Sequence, residues 1–347
     1  MKIRIRALAL CLALLMLSCA LTSCENYKLR KSSEKEATPV LQLGEHTVNF
    51  EVLYTFFLNA CERREEYNDT YFTGAGWEER FDEVMEEALA QVAEIYGLFA
   101  LCKEVGIDPF GEEMDTSIMN YLKTTVGGGA MGEHAIVGFD SYSEYLDYIR
   151  EHYHMNDAVN RLMIRYALCE EELMEYYQNT HRFTEDDVRA FFKSADCIRV
   201  VWVGRPKNAS FLGLTEDENR ELLETAKKHL ENGKIDLAIQ LSLEPSTDFY
   251  MGRYTKDSAY YAELIETAYQ LSEDETSDII ELGAEGYYIV KRLKKLSSHF
   301  ESRYAEIEEV YLYDLQCATV LEKAEALLEG IVYKDAFATL TPSDFRP

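Results

Sequence analysis

Positive charge is scarce in this sequence. Lysine and arginine total 35 against 63 aspartates and glutamates, a net charge of −28, and three of those cations, Lys2, Arg4 and Arg6, lie in the first six residues. Without them the balance is 32 against 63, or −31. A field of that sign repels phosphate backbones and anionic headgroups, so nucleic acid and direct electrostatic membrane binding are both disfavoured and no nucleic-acid partner is expected. Metal-type spacing is missing as well: the eight cysteines contain no C-x-x-C pair, which leaves no metal or cofactor to be expected. The one H-x-H, His152 and His154, points its rings roughly 200° apart on a helix and is ill placed to chelate one ion. No hydrophobic run is long enough for a comfortable transmembrane helix, since the stretch Ala7 to Leu17 falls short of one. What is present is acid interspersed with 24 tyrosines and 16 phenylalanines, the mark of a folded, soluble chain and not of an acidic tail.

The N-terminus carries the most specific signal. A basic start and the short apolar stretch are followed by "LTSC", Leu21 to Cys24, which resembles a bacterial lipobox. The resemblance implies cleavage before Cys24 and a diacylglycerol on its sulfur; an ordinary secretory signal cut near Ser18 to Ala20 is the alternative, and either implies export. Residues 1–23 are thus expected to be a lipoprotein signal peptide and 24–44 a flexible tether, polar and without pattern. With the signal and lipid cysteines set aside, Cys61, Cys102, Cys169, Cys197 and Cys317 remain. Most sit among apolar neighbours, where a buried, inert thiol is the ordinary case.

From about Gly44 to Ser194 the apolar spacing is helical, as in Phe81, Val84, Met85, Ala88, Val92, Ile95, Phe99 and Cys102. Thr184 with an acid three residues on opens a short helix, and only then does a strand appear, "CIRVVWVG" from Cys197. Beyond it a second capping box stands at Thr215 and Glu218, "IDLAIQLS" reads as a short helix and "FYMGRY" as a strand and turn. "TSDIIEL" and "EGYYIVKRLKK" form a hairpin, and helix resumes over Ser297 to Leu328. The predicted class is α+β: helical block 45–194, mixed insert 195–296, and C-terminal helices in 297–347 that close on the first block.

Three stretches of the insert resemble a parvulin domain, the prolyl isomerase module of PrsA- and SurA-type extracytoplasmic foldases: "GKIDLAIQLSLEPST", "TAYQLSEDETSDII" and "EGYYIVKRL". The preceding helical block resembles the SurA-type N-terminal domain in "CKEVGID" and "EDDVRAFFKSADCIRV". The resemblance places the family's two pocket histidines, which face each other beneath the substrate proline, on Cys197 and Tyr288. It places the acidic group on Glu244, the aromatic wall on Tyr254, the apolar floor near Tyr260 and on Leu264, and a hydroxyl position on Glu285. Both imidazoles are replaced, so isomerase activity is expected to be weak or absent. The implied protein is a lipid-anchored, extracytoplasmic bacterial folding factor whose partners are unfolded or newly exported polypeptides. An active isomerase with an altered pocket, and a non-catalytic scaffold or ligand-binding lipoprotein, are the alternatives. Cys197 as a nucleophile lacks an identifiable activating group, so a space-filling strand residue is the plainer reading.

Overall fold

The computed structural model describes residues 29–346 apart from 65–66, 69, 127–138, 140, 181–182, 208–212, 244–246, 255–261 and 283–285. The described residues form a mixed helix-and-sheet structure with two small antiparallel sheets, divided into two compact units. One is formed by the chain up to Leu173 together with Thr319 onward, the other by Met174–Ala318. The boundaries thus fall at different residues from those read in the sequence: the short helix opened at Thr184 and the start of the C-terminal helix belong to the sheet-bearing unit.

The first unit begins with strands the sequence reading assigned to a tether and a helix. β1 (Pro39–Leu43) pairs antiparallel with β2 (His46–Asn49) and, on its other side, with β7 (Val332–Tyr333). Gly44 turns the hairpin at φ +55, a conformation glycine adopts at no steric cost. The helices α1 (Phe50–Glu62), α2 (Trp77–Glu104), α3 (Glu112–Val126), α4 (Tyr142–Tyr153) and the start of α5 (Asp157–Thr180) follow. α1 is apolar nearly all round, with ten of its thirteen residues buried, as expected of a helix enclosed by neighbours. Phe57 stacks on Phe345 with ring centroids 4.0 Å apart, so the short helical turn Pro342–Phe345 packs against α1.

The long helix α11 (Tyr304–Glu329) contributes its part from Thr319 onward to this unit. Its crossing with α2 is so close that a β-carbon on Gly97 would stand 2.8 Å from the Val320 carbonyl oxygen and 3.0 Å from the Ala324 amide nitrogen. Both obstacles are backbone and cannot rotate away. Gly97→Ala is therefore expected to lower stability by about 1–3 kcal/mol through overpacking, read as a fall in the denaturant midpoint; an unchanged midpoint would mean that α2 and α11 do not cross this tightly.

The second unit opens with α6 (Glu185–Lys193), capped by the reciprocal Thr184 and Asp187 bonds. β3 (Ile198–Arg205) is an inner strand of the sheet order β4-β3-β6-β5, with β4 at Phe249–Met251, β5 at Ile280–Leu282 and β6 at Gly286–Leu293. α7 (Glu216–Glu231), with its Thr215 and Glu218 capping box, α8 (Ile235–Ile239) and α9 (Ala262–Gln270) lie between the strands in sequence. α10 (His299–Ser302) and the start of α11 complete the unit. The predicted short helix, strand and hairpin at 235–293 are all present.

Candidate functional site

The strand β3 is buried on both faces, which is why it reads as a nearly unbroken apolar run instead of an alternation. Ile198 and Val200 face a core made with Met251, Leu264, Val290 and Tyr288. Val201 and Val203 face a second core made with Leu223, Leu230, Tyr287 and Ile289. Cys197 belongs to neither. It stands just ahead of the strand, in a third cluster with Val188, Phe192, Tyr250, Phe300 and Ile307.

The ladder between β3 and β6 fixes this separation. Tyr288 lies opposite Gly204, and Arg199 lies opposite Leu293. Cys197 is seven residues from Gly204 along the chain, so at about 3.3 Å per residue the 197 and 288 positions stand roughly 20 Å apart along the sheet. The two positions expected to face each other do not do so in this register. The structure brings Tyr288 together with Leu264, and both are closed off, at 1% and 0% exposure. Tyr254 is half-buried in the turn after β4; its backbone N–H donates to Asp314 Oδ1 at 2.7 Å. A β-carbon on Gly252 would reach within 2.4 Å of the same oxygen, so any larger residue here would displace the α11 carboxylate. Burial raises the Asp314 pKa, against the backbone donors that lower it. Glu244, Tyr260, Glu285 and Cys24 lie outside the described residues.

The surroundings of Cys197 explain what the residue does. It is 0% exposed, and burial pushes its thiol up to about 12, Lys295 nearby acting in the opposite direction. The Lys295 ammonium is itself occupied: it donates to the carbonyls of Phe192 at 2.7 Å, Ser194 at 2.6 Å and Cys197 at 2.8 Å. It closes the end of α6 onto the start of β3, and desolvation lowers its own pKa. A thiol of this kind is a poor nucleophile, because the thiolate is the reactive form. A much smaller fraction of Cys197 than of an ordinary thiol is therefore ionised at neutral or mildly alkaline pH. Maleimide near neutral pH should therefore modify half-exposed Cys317 in the native protein and spare buried Cys61, Cys102, Cys169 and Cys197, with all five modified after denaturation. Rapid native labelling of Cys197 would refute its assignment as a core residue.

Sequence reasoning missed a further polar network, since its members are far apart in the chain. Arg199 and Arg303 both donate to Asp248 Oδ2, at 2.7 and 2.6 Å, while Glu306 accepts from Arg303 and from the Tyr250 amide at 2.9 Å. This pins β4 to α11. It also missed a cavity of about 510 Å³ in the first unit, lined among others by Phe50, Tyr54, Lys35, Arg150, His154 and Asn156. Partial burial would raise the carboxyl of Glu36 at its rim, but bonds from Ser33 and Asn156 and the charge of Arg150 hold it below the usual range. Among the described residues no group of three or more His, Cys, Asp or Glu side chains could hold a metal ion. Nor is any described helix long and apolar enough to cross a membrane.

No protein-family model matches the chain, and no curated protein matches it in sequence. Solved structures do. The chain is similar to PrsA from Bacillus subtilis, with 15% identity, 73% of this chain and 87% of that one covered, and a TM-score of 0.26. It is similar to the foldase protein PrsA from Streptococcus pneumoniae, with 14% identity, 89% and 100% covered, and a TM-score of 0.29. The PrsA foldase protein from Lactococcus lactis gives 15% identity, 89% and 99% covered, and a TM-score of 0.29. Whole-chain superpositions this loose transfer no chemistry, which has to come from this chain's own residues.

Proposed function

We propose that this chain is an exported, lipid-anchored folding factor that binds unfolded polypeptides outside the cytoplasmic membrane, and that its parvulin-like unit has weak or absent prolyl isomerase activity. The observation that carries the second part is the burial of Cys197, Leu264 and Tyr288, at 0%, 0% and 1% exposure, in two separate clusters. Isomerisation has to overcome a barrier of roughly 18–20 kcal/mol set by amide resonance, and a catalyst lowers it by holding the proline ring and favouring the twisted amide. Side chains that reach no solvent hold no ring. The first part rests on the signal-like N-terminus with "LTSC" and on the three parvulin-like stretches. Those stretches coincide with α8, with the run from α9 to β5, and with β6. The scaffold words are kept where the pocket words have changed.

The rate of cis-to-trans conversion of a proline peptide should stay close to the uncatalysed rate, while aggregation of a reduced, unfolded client should be suppressed at near-stoichiometric ratios. Strong isomerase activity would overturn the closed-pocket reading, and failure to suppress aggregation would favour a plain scaffold. The variant C197H/Y288H tests the geometry directly. Because the two positions lie in separate clusters, restoring both imidazoles should give no gain in rate, and Tyr288→His should cost about 1–3 kcal/mol by placing a polar ring in an apolar core. A cooperative gain in isomerase rate would show that the two rings meet after all.

Cys24 is the proposed lipid site. Cys24→Ala should lose the lipid mass and leave the membrane fraction; retention of that variant, with its signal removed, would point to another anchor.

A further inference from the structure

Two of the buried cysteines lie against each other. Cys102 stands in the last turn of α2 and Cys169 in the middle of α5, 67 residues further along, and both belong to the first unit. Each is 0% exposed. The Cys102 thiol donates to the Cys169 carbonyl oxygen at 3.7 Å. The two thiols are also within hydrogen-bond reach of each other, a contact that, ahead of burial, raises the Cys102 pKa. The remaining thiols are placed differently: Cys61 lies beside the Tyr67 hydroxyl, and Cys197 and Cys317 belong to the second unit.

A single buried thiol packs as a small apolar group, but two in contact can also be joined. A disulfide needs side chains that already face each other, its sulfurs standing about 2.05 Å apart once bonded, and facing thiols on two helices in contact supply that alignment. The ring it would close holds α3, α4 and the first half of α5, and a ring of that length takes much freedom from the unfolded chain. Export, as the N-terminus implies it, would bring the chain into contact with disulfide oxidants.

We propose that Cys102 and Cys169 form a disulfide that staples α2 to α5, made while the first unit folds and shielded once it has closed. The oxidant is the disulfide of a small thiol or of a thiol oxidoreductase. The thiolate of one cysteine attacks a sulfur of that disulfide, expels one thiolate and leaves a mixed disulfide. The thiolate of the second cysteine then attacks the protein-side sulfur and expels the other half. Two protons pass from the cysteines to the leaving thiolates and two electrons pass to the oxidant, so one disulfide is made and one consumed. The folded core is closed to this chemistry, because both sulfurs are buried and the thiolate is the attacking form. The folding chain is open to it, since β1 is completed only by Val332 and Tyr333, and Phe57 only by Phe345.

The test uses the chain from residue 24 onward with Cys24→Ala, which keeps the five cysteines of the folded protein. Refolding from urea in a buffer of reduced and oxidised glutathione should leave Cys61, Cys197 and Cys317 free and yield the tryptic peptides Phe81–Lys103 and Tyr166–Arg182 as a linked pair. Refolding in excess dithiothreitol should leave all five thiols free. The oxidised protein should unfold at a urea midpoint higher by on the order of 1 M than the reduced protein, and Cys169→Ser should show one midpoint in both buffers. Oxidised glutathione added to reduced, folded protein should form the link roughly tenfold more slowly than it forms during refolding. Folded protein that keeps all five thiols in the oxidising buffer would overturn the staple, as would a link from either cysteine to Cys61. Equal midpoints for the two redox states would overturn its constraint on the unit, and rapid linkage in the folded protein would overturn the shielding. The midpoints compare one sequence in two redox states, so the outcome stands whether or not Cys169→Ser folds.

Discussion

The hydrogen-bond register between β3 and β6 decides more about this protein than any single side chain. Because side chains alternate strictly along a strand, pairing Gly204 with Tyr288 assigns every residue of both strands to one of two cores. Tyr288 and Val290 go to the side of α9, while Tyr287 and Ile289 go to the side of α7 and α8. A slip of one residue would exchange the two sets, putting the Tyr287 hydroxyl, which now donates to Glu216 at 2.6 Å, into the apolar side. Gly286 guards the same register: at φ +140 its missing β-carbon would stand 2.3 Å from the Arg205 carbonyl oxygen. The strand pair therefore allows one arrangement, and in that arrangement the 197 and 288 positions stay apart.

The ends of the strands are fixed by a different kind of contact. Lys295 gathers three carbonyls at the junction of α6 and β3, groups that a helix end would otherwise leave unsatisfied. The Arg199, Asp248, Arg303 and Glu306 cluster does the same for β4. These are part-buried, charge-assisted bonds, stronger than neutral ones and costly to leave half-made. They are spent on holding backbone.

Local features were legible in the sequence because their physics is local. The capping boxes at Thr184 with Asp187 and Thr215 with Glu218 appeared as read, each closed by bonds within four residues. The hairpin of β5 and β6 followed from two β-rich runs around a glycine pair. β1, β2 and β7 escaped notice, because β7 is two residues long and pairs with a strand about 290 residues earlier, where no period or spacing connects them. The structured stretch after Arg30 escaped for the same reason: a polar, unpatterned segment reads as a tether, and only the distant Asp157 makes it otherwise. For the site, resemblance placed positions along the chain, but facing is a property of register, and register depends on both strands at once.

Topology adds a constraint on the order of assembly. The unit Met174–Ala318 is one continuous stretch and contains all its own strands and their helices. The other unit is closed by residues from both ends: β1 needs Val332 and Tyr333, Gly97 needs Val320 and Ala324 at its crossing, and Phe57 needs Phe345. For a chain delivered from its N-terminus, the helices α1 to α5 therefore wait with apolar faces uncovered until the last residues arrive, and the middle unit can finish first. Because loop-closure entropy grows only logarithmically with length, a folded insert of this size costs the outer unit little. What it costs is time with the α1 and α2 surfaces exposed.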